Sequence, residues 1–170
     1  MSQQGFTTAG GIVSGNAVQW LQTSTAAFFT INTTMDGTGD AIPQITDGTQ
    51  LLALSITPTK ATNRLFFDFV CCNACREAGG TVVASVALFQ DATVNALAAA
   101  FLNSTPVSNA ALRISTPFSH SMLAGTTSST TFQIRCGVLA GTEDLWINGA
   151  TGRQYGGVSS TTFRIIEVEV

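Results

Sequence analysis

His120 is the single histidine of the chain, set in Phe118-Ser119-His120-Ser121-Met122. Acyl transfer by a serine or cysteine needs such a base beside the nucleophile and a third group to fix its tautomer. One histidine fills one role at most, and a strand residue with a hydrogen-bonded or half-exposed ring explains it equally well. The four cysteines give a partial zinc pattern: Cys71, Cys72 and Cys75 bunch together, and Cys136 lies far downstream. A closed zinc site needs four ligands, usually as two spaced pairs, so Cys136 or His120 would have to complete it. Adjacent residues of a strand point to opposite faces, so only one of Cys71 and Cys72 can share a site with Cys75. Small buried side chains and a turn cysteine are the simpler reading. Paired carboxylates would serve a glycan depolymerase. Glu143-Asp144 are adjacent, and Glu167 and Glu169 share one strand face about 6–7 Å apart, but nothing else converges on either pair. No acidic cluster supports calcium or magnesium. Gly37-x-Gly39 is followed by no helical pattern, which rules out a phosphate loop. The expectation is therefore no catalytic residue, no metal and no cofactor: the chain reads as a non-enzyme.

The elements that carry these residues read as strands. Arg64 to Cys72 puts Leu65, Phe67 and Phe69 on one face and Phe66, Asp68 and Val70 on the other. Gln50 to Ile56 is short and apolar and ends at Thr57-Pro58. Thr81 to Gln90 is apolar on both faces, as in a strand buried inside a sandwich or at a subunit contact. Asn95 to Leu102 is ambiguous, because its alanines and leucines favour a helix. Thr116 to Leu123 follows, and then Thr130 to Val138, which alternates cleanly: Phe132, Ile134 and Cys136 against Thr131, Gln133 and Arg135. The stretch 141–157 reads as a glycine-rich loop excursion that could present Trp146 and Tyr155 as an exposed recognition loop. The last strand, Ser159 to Val170, changes phase between Ile165 and Ile166, which predicts a bulge or two-sided burial. The first 30 residues read as an extended N-terminal arm with isolated apolar anchors, Phe6, Ile12, Val13, Trp20 and Leu21, and a first strand near Ala26 to Ile31 ends it. About eight short strands with regular turns predict an all-β fold, a jelly-roll β-sandwich over residues 31–170.

Composition narrows the partners. Charged residues make up 10% of the 170 residues, against roughly 25% in an ordinary soluble domain. Lys60 is the only lysine. A surface so poor in charge points to faces covered by other chains. The net charge of −3 and the singly scattered arginines argue against nucleic acid, whose binders cluster Lys and Arg to displace phosphate counterions. No apolar run approaches the ~20 residues of a membrane span, so no membrane partner is expected. The N-terminus lacks the basic start and apolar stretch of a signal peptide, which points to synthesis in a cytoplasm. On that ground Asn32-Thr33-Thr34 and Asn103-Ser104-Thr105 match the glycosylation sequon by chance.

Four segments resemble those of bacteriophage virion proteins: Ile56-Thr57-Pro58-Thr59-Lys60-Ala61-Thr62-Asn63-Arg64-Leu65, Val86-Ala87-Leu88-Phe89-Gln90-Asp91, Ala124-Gly125-Thr126 through Phe132, and Asn148-Gly149 through Gly156-Gly157 to Ile165-Ile166-Glu167-Val168. In that family the module occurs in head-decorating proteins and distal fibre domains. The resemblance implies a jelly roll similar to the tumour-necrosis-factor type, assembled as a homotrimer. It does not extend to the cysteine cluster. A tail fibre normally places an anchor and shaft before the module, whereas only a short arm precedes it here. The leading expectation is a capsid decoration, or cement, protein on the virion surface, with itself and the major capsid protein as partners and the arm as the capsid-binding element. The alternative is a short fibre or spike tip, an adhesin that binds a host-surface glycan or protein through Trp146 and Tyr155.

Overall fold

Strand-favouring Thr, Val, Phe and Ile residues broken by Gly, Asn and Asp turns give fourteen strands among the described residues. The computed structural model describes residues 7–8, 11–12, 15–35, 39–76, 82–104, 112–139 and 144–170. The strands are β1 (Thr7–Thr8), β2 (Gly11–Ile12), β3 (Ala17–Thr25), β4 (Phe29–Ile31), β5 (Thr49–Ile56), β6 (Arg64–Val70) and β7 (Cys72–Arg76). They continue as β8 (Val82–Gln90), β9 (Ala98–Ser104), β10 (Leu112–Ser115), β11 (Phe118–Leu123), β12 (Thr130–Val138), β13 (Asp144–Ile147) and β14 (Thr161–Val168). The chain is all-β, and its named strands pair antiparallel throughout.

Two four-stranded sheets, ordered β11-β6-β14-β3 and β5-β12-β8-β9, face each other as a β-sandwich. Each strand turns alternate side chains into the space between them. Phe67 and Phe69 of β6 and Phe163 and Ile165 of β14 meet Phe132 and Ile134 of β12 and Val86 and Leu88 of β8 in one buried cluster. The ring centroids of Phe67 and Phe132 lie 4.6 Å apart across the sheets, tilted by 56°, a favourable aromatic geometry.

A third sheet, β10-β7-β13-β4, continues the first. β4 follows β3, β7 follows β6, β10 precedes β11 and β13 precedes β14, and the lateral order of the four is unchanged. The break between the halves is held by Asn148. This buried residue has φ +59° and donates from Nδ2 to the carbonyls of Thr25 and Ala27, both at 2.9 Å. Its Oδ1 accepts from the Thr161 hydroxyl at 3.0 Å, and its backbone N–H donates to the Cys72 carbonyl. One side chain thus ties the ends of β3 and β14 together and satisfies backbone groups freed by the break.

The outer face of the second sheet is covered by the segment that leads into β5. Met35 packs on Ala87 and Phe89. Its neighbour on β12 must be glycine, since a Cβ on Gly137 would lie 2.5 Å from the Met35 Cβ. Arg135 donates to the carbonyls of Asp47 and Gly48, both at 2.8 Å, and pins the turn before β5.

Several sequence expectations are corrected. Residues Ala17–Thr25 are a strand of the first sheet, so Trp20 and Leu21 belong to the sandwich and not to an arm. The ambiguous 95–102 stretch is largely strand, because β9 completes the edge hydrogen bonds of β8. The supposed loop excursion contains β13, a central strand of the third sheet. The irregularity of the last strand lies at Glu167/Val168 against β3, two residues beyond the expected phase change. That phase change is two-sided use: Ile165 is buried between the sheets and Ile166 faces outward, half-buried.

Candidate interaction surface

The outward residues of β11, β6, β14 and β3 line up in rows across the first sheet. Register places Ser121, Phe66, Ile166 and Trp20 side by side. Leu123, Arg64 and Val168 form the next row, and Ser119, Asp68, Arg164 and Gln22 the row on the other side. Trp20 is 69% exposed, and Val18, Leu123 and Val70 are exposed as well. The result is an apolar stripe, Phe66-Ile166-Trp20, flanked by aliphatic residues. Its charges are mostly matched within the face. Arg164 donates to Asp68 at 3.2 Å and to the Gln22 side chain at 2.8 Å, and Arg64 donates to Ser121 at 3.2 Å. A shallow depression of about 570 Å³ opens on the same face between Phe66, Asp68, Ser119, Ser121 and Ile166. Contiguous apolar surface on a folded domain marks a contact site.

His120 sits at the edge of that depression, opposite Phe67 in the register, with its ring 6.0 Å from the Phe67 ring at 26°. Burial lowers its pKa, favouring the neutral ring. The arrangement is a histidine packed on the aromatic core.

The carboxylates resolve into separate roles. Glu167 is buried and Glu169 is not. Glu167 accepts from Thr59, Asn63 and Gln19, while Glu169 pairs with Lys60. Of the cysteines, Cys71 and Cys136 are buried in the core cluster and Cys72 is exposed. Burial, with the neighbouring Cys71, pushes the Cys136 thiol well up. Among the described residues no cluster of three His, Cys, Asp or Glu side chains converges as a metal site.

The residues singled out from sequence fall in different places. Phe6 and Val13 lie outside the described residues. Ile12 lies on β2, which among the described residues pairs with β1 in a separate two-stranded sheet. Leu21 turns inward against the core cluster while Trp20 turns out. Trp146 is only 4% exposed and packs with Phe28 and Ala150, so it is no exposed loop residue. Its strand is central in the third sheet, with Leu145 and Ile147 filling the core on the other face. Tyr155 is 73% exposed on a 3-10 turn, Tyr155–Gly157. The residues missed from sequence are Phe66 and Ile166. The alternation of β6 and β14 carried the signal, since each strand has large apolar side chains on both faces. No protein-family model matches the chain, and no curated protein matches it.

Proposed function

We propose that this chain is a virion structural protein, a capsid decoration protein that assembles as a homotrimer through the outer face of the β11-β6-β14-β3 sheet. The observation that carries the reading is the Phe66-Ile166-Trp20 stripe, an apolar row on a face where Arg164 pairs with Asp68 and Arg64 donates to Ser121. Such a face suits a second copy of the same chain, because with these groups held within it self-contact strips few charges of water. The two facing antiparallel sheets, β11-β6-β14-β3 and β5-β12-β8-β9, support a sandwich of the jelly-roll class that the resemblance to phage virion modules implies. A trimer fits a local threefold axis on an icosahedral shell. Three identical weak contacts then act together through effective concentration. The segment before residue 15 joins none of the three larger sheets through its described strands, and it is the part available to a capsid partner.

The test is the solution mass, by light scattering, of the full chain and of a variant lacking residues 1–14, followed by binding of each to isolated phage heads. The expected result is a trimer in both cases, with head binding in the full chain alone. A monomer at micromolar concentration overturns the assembly reading. The alternative, a fibre-tip adhesin, keeps the exposed Tyr155 but loses Trp146 as a surface contact.

A further inference from the structure

Glu167 is the only acidic or basic side chain that is buried among the described residues. It sits near the end of β14, and the crossover 57–63, which carries the chain from β5 in one sheet to β6 in the other, is wrapped around it. Oε1 accepts from the Thr59 backbone N–H at 2.8 Å, the Thr59 hydroxyl at 2.8 Å, the Asn63 amide at 2.6 Å and the Lys60 backbone N–H at 3.4 Å. Oε2 accepts from Gln19 of β3 at 2.9 Å, and the same Gln19 nitrogen donates to the Thr57 carbonyl. The Asn63 amide is turned so that its Nδ2 donates to the carboxylate, at the expense of the buried Oδ1, which is left without a hydrogen-bond partner. A neutral residue would have no reason to hold that orientation, since a buried unmatched acceptor is costly.

We propose that Glu167 is an acid-sensitive latch: as a carboxylate it holds the 57–63 crossover closed, and as a neutral acid it releases that loop while the two sheets stay packed. The chemistry follows from the donor set. Apart from the Thr59 hydroxyl, every partner of the carboxylate is an N–H, so a protonated oxygen would meet donors and find almost no acceptor. Asn63 could offer Oδ1 only by flipping, which breaks its bond to the Thr59 hydroxyl. The remaining grip on the loop is the bond from Gln19 to the Thr57 carbonyl, the exposed Lys60–Glu169 pair, and the N–H groups of Ala124 and Gly125, which donate to Asn63 and Ala61. The other charged groups of these elements are already engaged. Lys60 pairs with Glu169, Arg164 with Asp68, and Arg64 donates to Ser121, while β3 and β5 carry no charged side chain. Burial pushes the Glu167 carboxyl up, but the bonds from Asn63, Thr59 and Lys60 outweigh it and hold the group below the usual 4.5. A folded-state value below the unfolded one means that the latch is fully engaged above the ordinary glutamate range. It is lost as the pH falls through the depressed value.

The sequence supplies its own probe. Lys60 is the only lysine, so a lysine-specific protease has one bond to cut, Lys60–Ala61, and the five arginines other than Arg64, which borders the loop, report on the rest of the chain. The experiment compares wild type and Glu167→Gln at neutral pH with the lysine-specific protease and, in parallel, with an arginine-specific one. The latch predicts cleavage at Lys60 at least tenfold faster in Glu167→Gln, with cleavage at the arginines other than Arg64 unchanged. Equal resistance of the two proteins at Lys60 overturns it, and so does a parallel rise at those arginines, which is global unfolding. Hydrogen exchange of the wild type serves where the variant does not fold. Protection of the 59–63 amides should fall before that of β12 as the pH drops below 4.5. Simultaneous loss in both regions overturns the proposal.

Discussion

Replacing Trp20 by alanine separates self-association from folding. A tryptophan carries roughly 250 Å² of contact area. At 69% exposure about 170 Å² of it is free for a partner and about 80 Å² is already used by the chain's own fold. At about 25 cal/mol per Å² this is an upper bound of roughly 4 kcal/mol of association per protomer, against about 2 kcal/mol of folding stability. Ordering costs reduce the first figure, and a central aromatic anchor commonly contributes 2–4 kcal/mol. The expected outcome is an association constant weakened about thirty- to a thousand-fold, read by light scattering from nanomolar to ten-micromolar protein. Tyr155→Ala is the matched control, because Tyr155 is just as exposed but lies on the 3-10 turn away from the stripe. Its mass should not change. An unchanged mass for Trp20→Ala over that whole range would refute the stripe as the contact. So would an equal loss in both variants, since the effect would then follow exposure and not position.

Asn148→Ala should destabilise the fold by about 3 kcal/mol or more in urea denaturation, because it orphans the carbonyls of Thr25 and Ala27 and the Thr161 hydroxyl. Asn148→Gly removes the same bonds but suits φ +59°, so its smaller loss isolates the backbone strain. Gly137→Ala should cost about 1–3 kcal/mol, since its Cβ would meet Met35 at 2.5 Å and the Thr33 carbonyl at 2.8 Å. Of Cys71, Cys72 and Cys136, only the exposed Cys72 should react with iodoacetamide at pH 8, as read by peptide mass mapping. Labelling of Cys136 at a similar rate in the native protein would contradict its burial.

Much of the sandwich is legible in the sequence where one face is apolar and the other polar. The alternation of Thr130 to Val138 gives the bounds of β12 and the inward set Phe132, Ile134 and Cys136. Arg64 to Cys72 gives β6 and its inward Leu65, Phe67 and Phe69, but the chain interrupts the ladder at Cys71 and resumes as β7. Just past that interruption the Cys72 carbonyl accepts from the Asn148 backbone N–H, about 75 positions downstream, and no local pattern announces it. The 95–102 stretch is ambiguous in the sequence for a related reason. Alanine favours helices, but the free edge of β8 offers a ladder of backbone partners, and tertiary pairing outweighs a preference of a few tenths of a kcal/mol per residue. The buried Glu167 was visible only as a carboxylate on a strand face. Its donors come from positions 19 and 59–63, which alternation cannot connect to it.

The two tryptophans show how the candidate site hid. Trp146 lies in a stretch rich in glycine and read as a loop, yet its strand is flanked by β7 and β4 and has both faces covered. Trp20 lies in a polar stretch read as an arm, yet β3 alternates with period two. The difficulty is that the alternation is inverted. Gln19, Thr23 and Thr25 turn inward with Leu21, while Val18 and Trp20 turn outward. A search for core strands assigns the larger apolar residues to the buried face and so discards this one. The inversion is itself informative. Inward Gln19 is needed by Glu167, so polarity inside is matched by a hydrogen bond. Outward Trp20 has no such compensation from its own sheet, since Ile166 beside it covers only part of the ring. An edge strand that puts its polar residues to internal use and leaves its largest apolar side chain in water gains stability when that face meets another surface. The chain's low charge points the same way, because few charged groups on this face would have to be stripped of water to allow the contact.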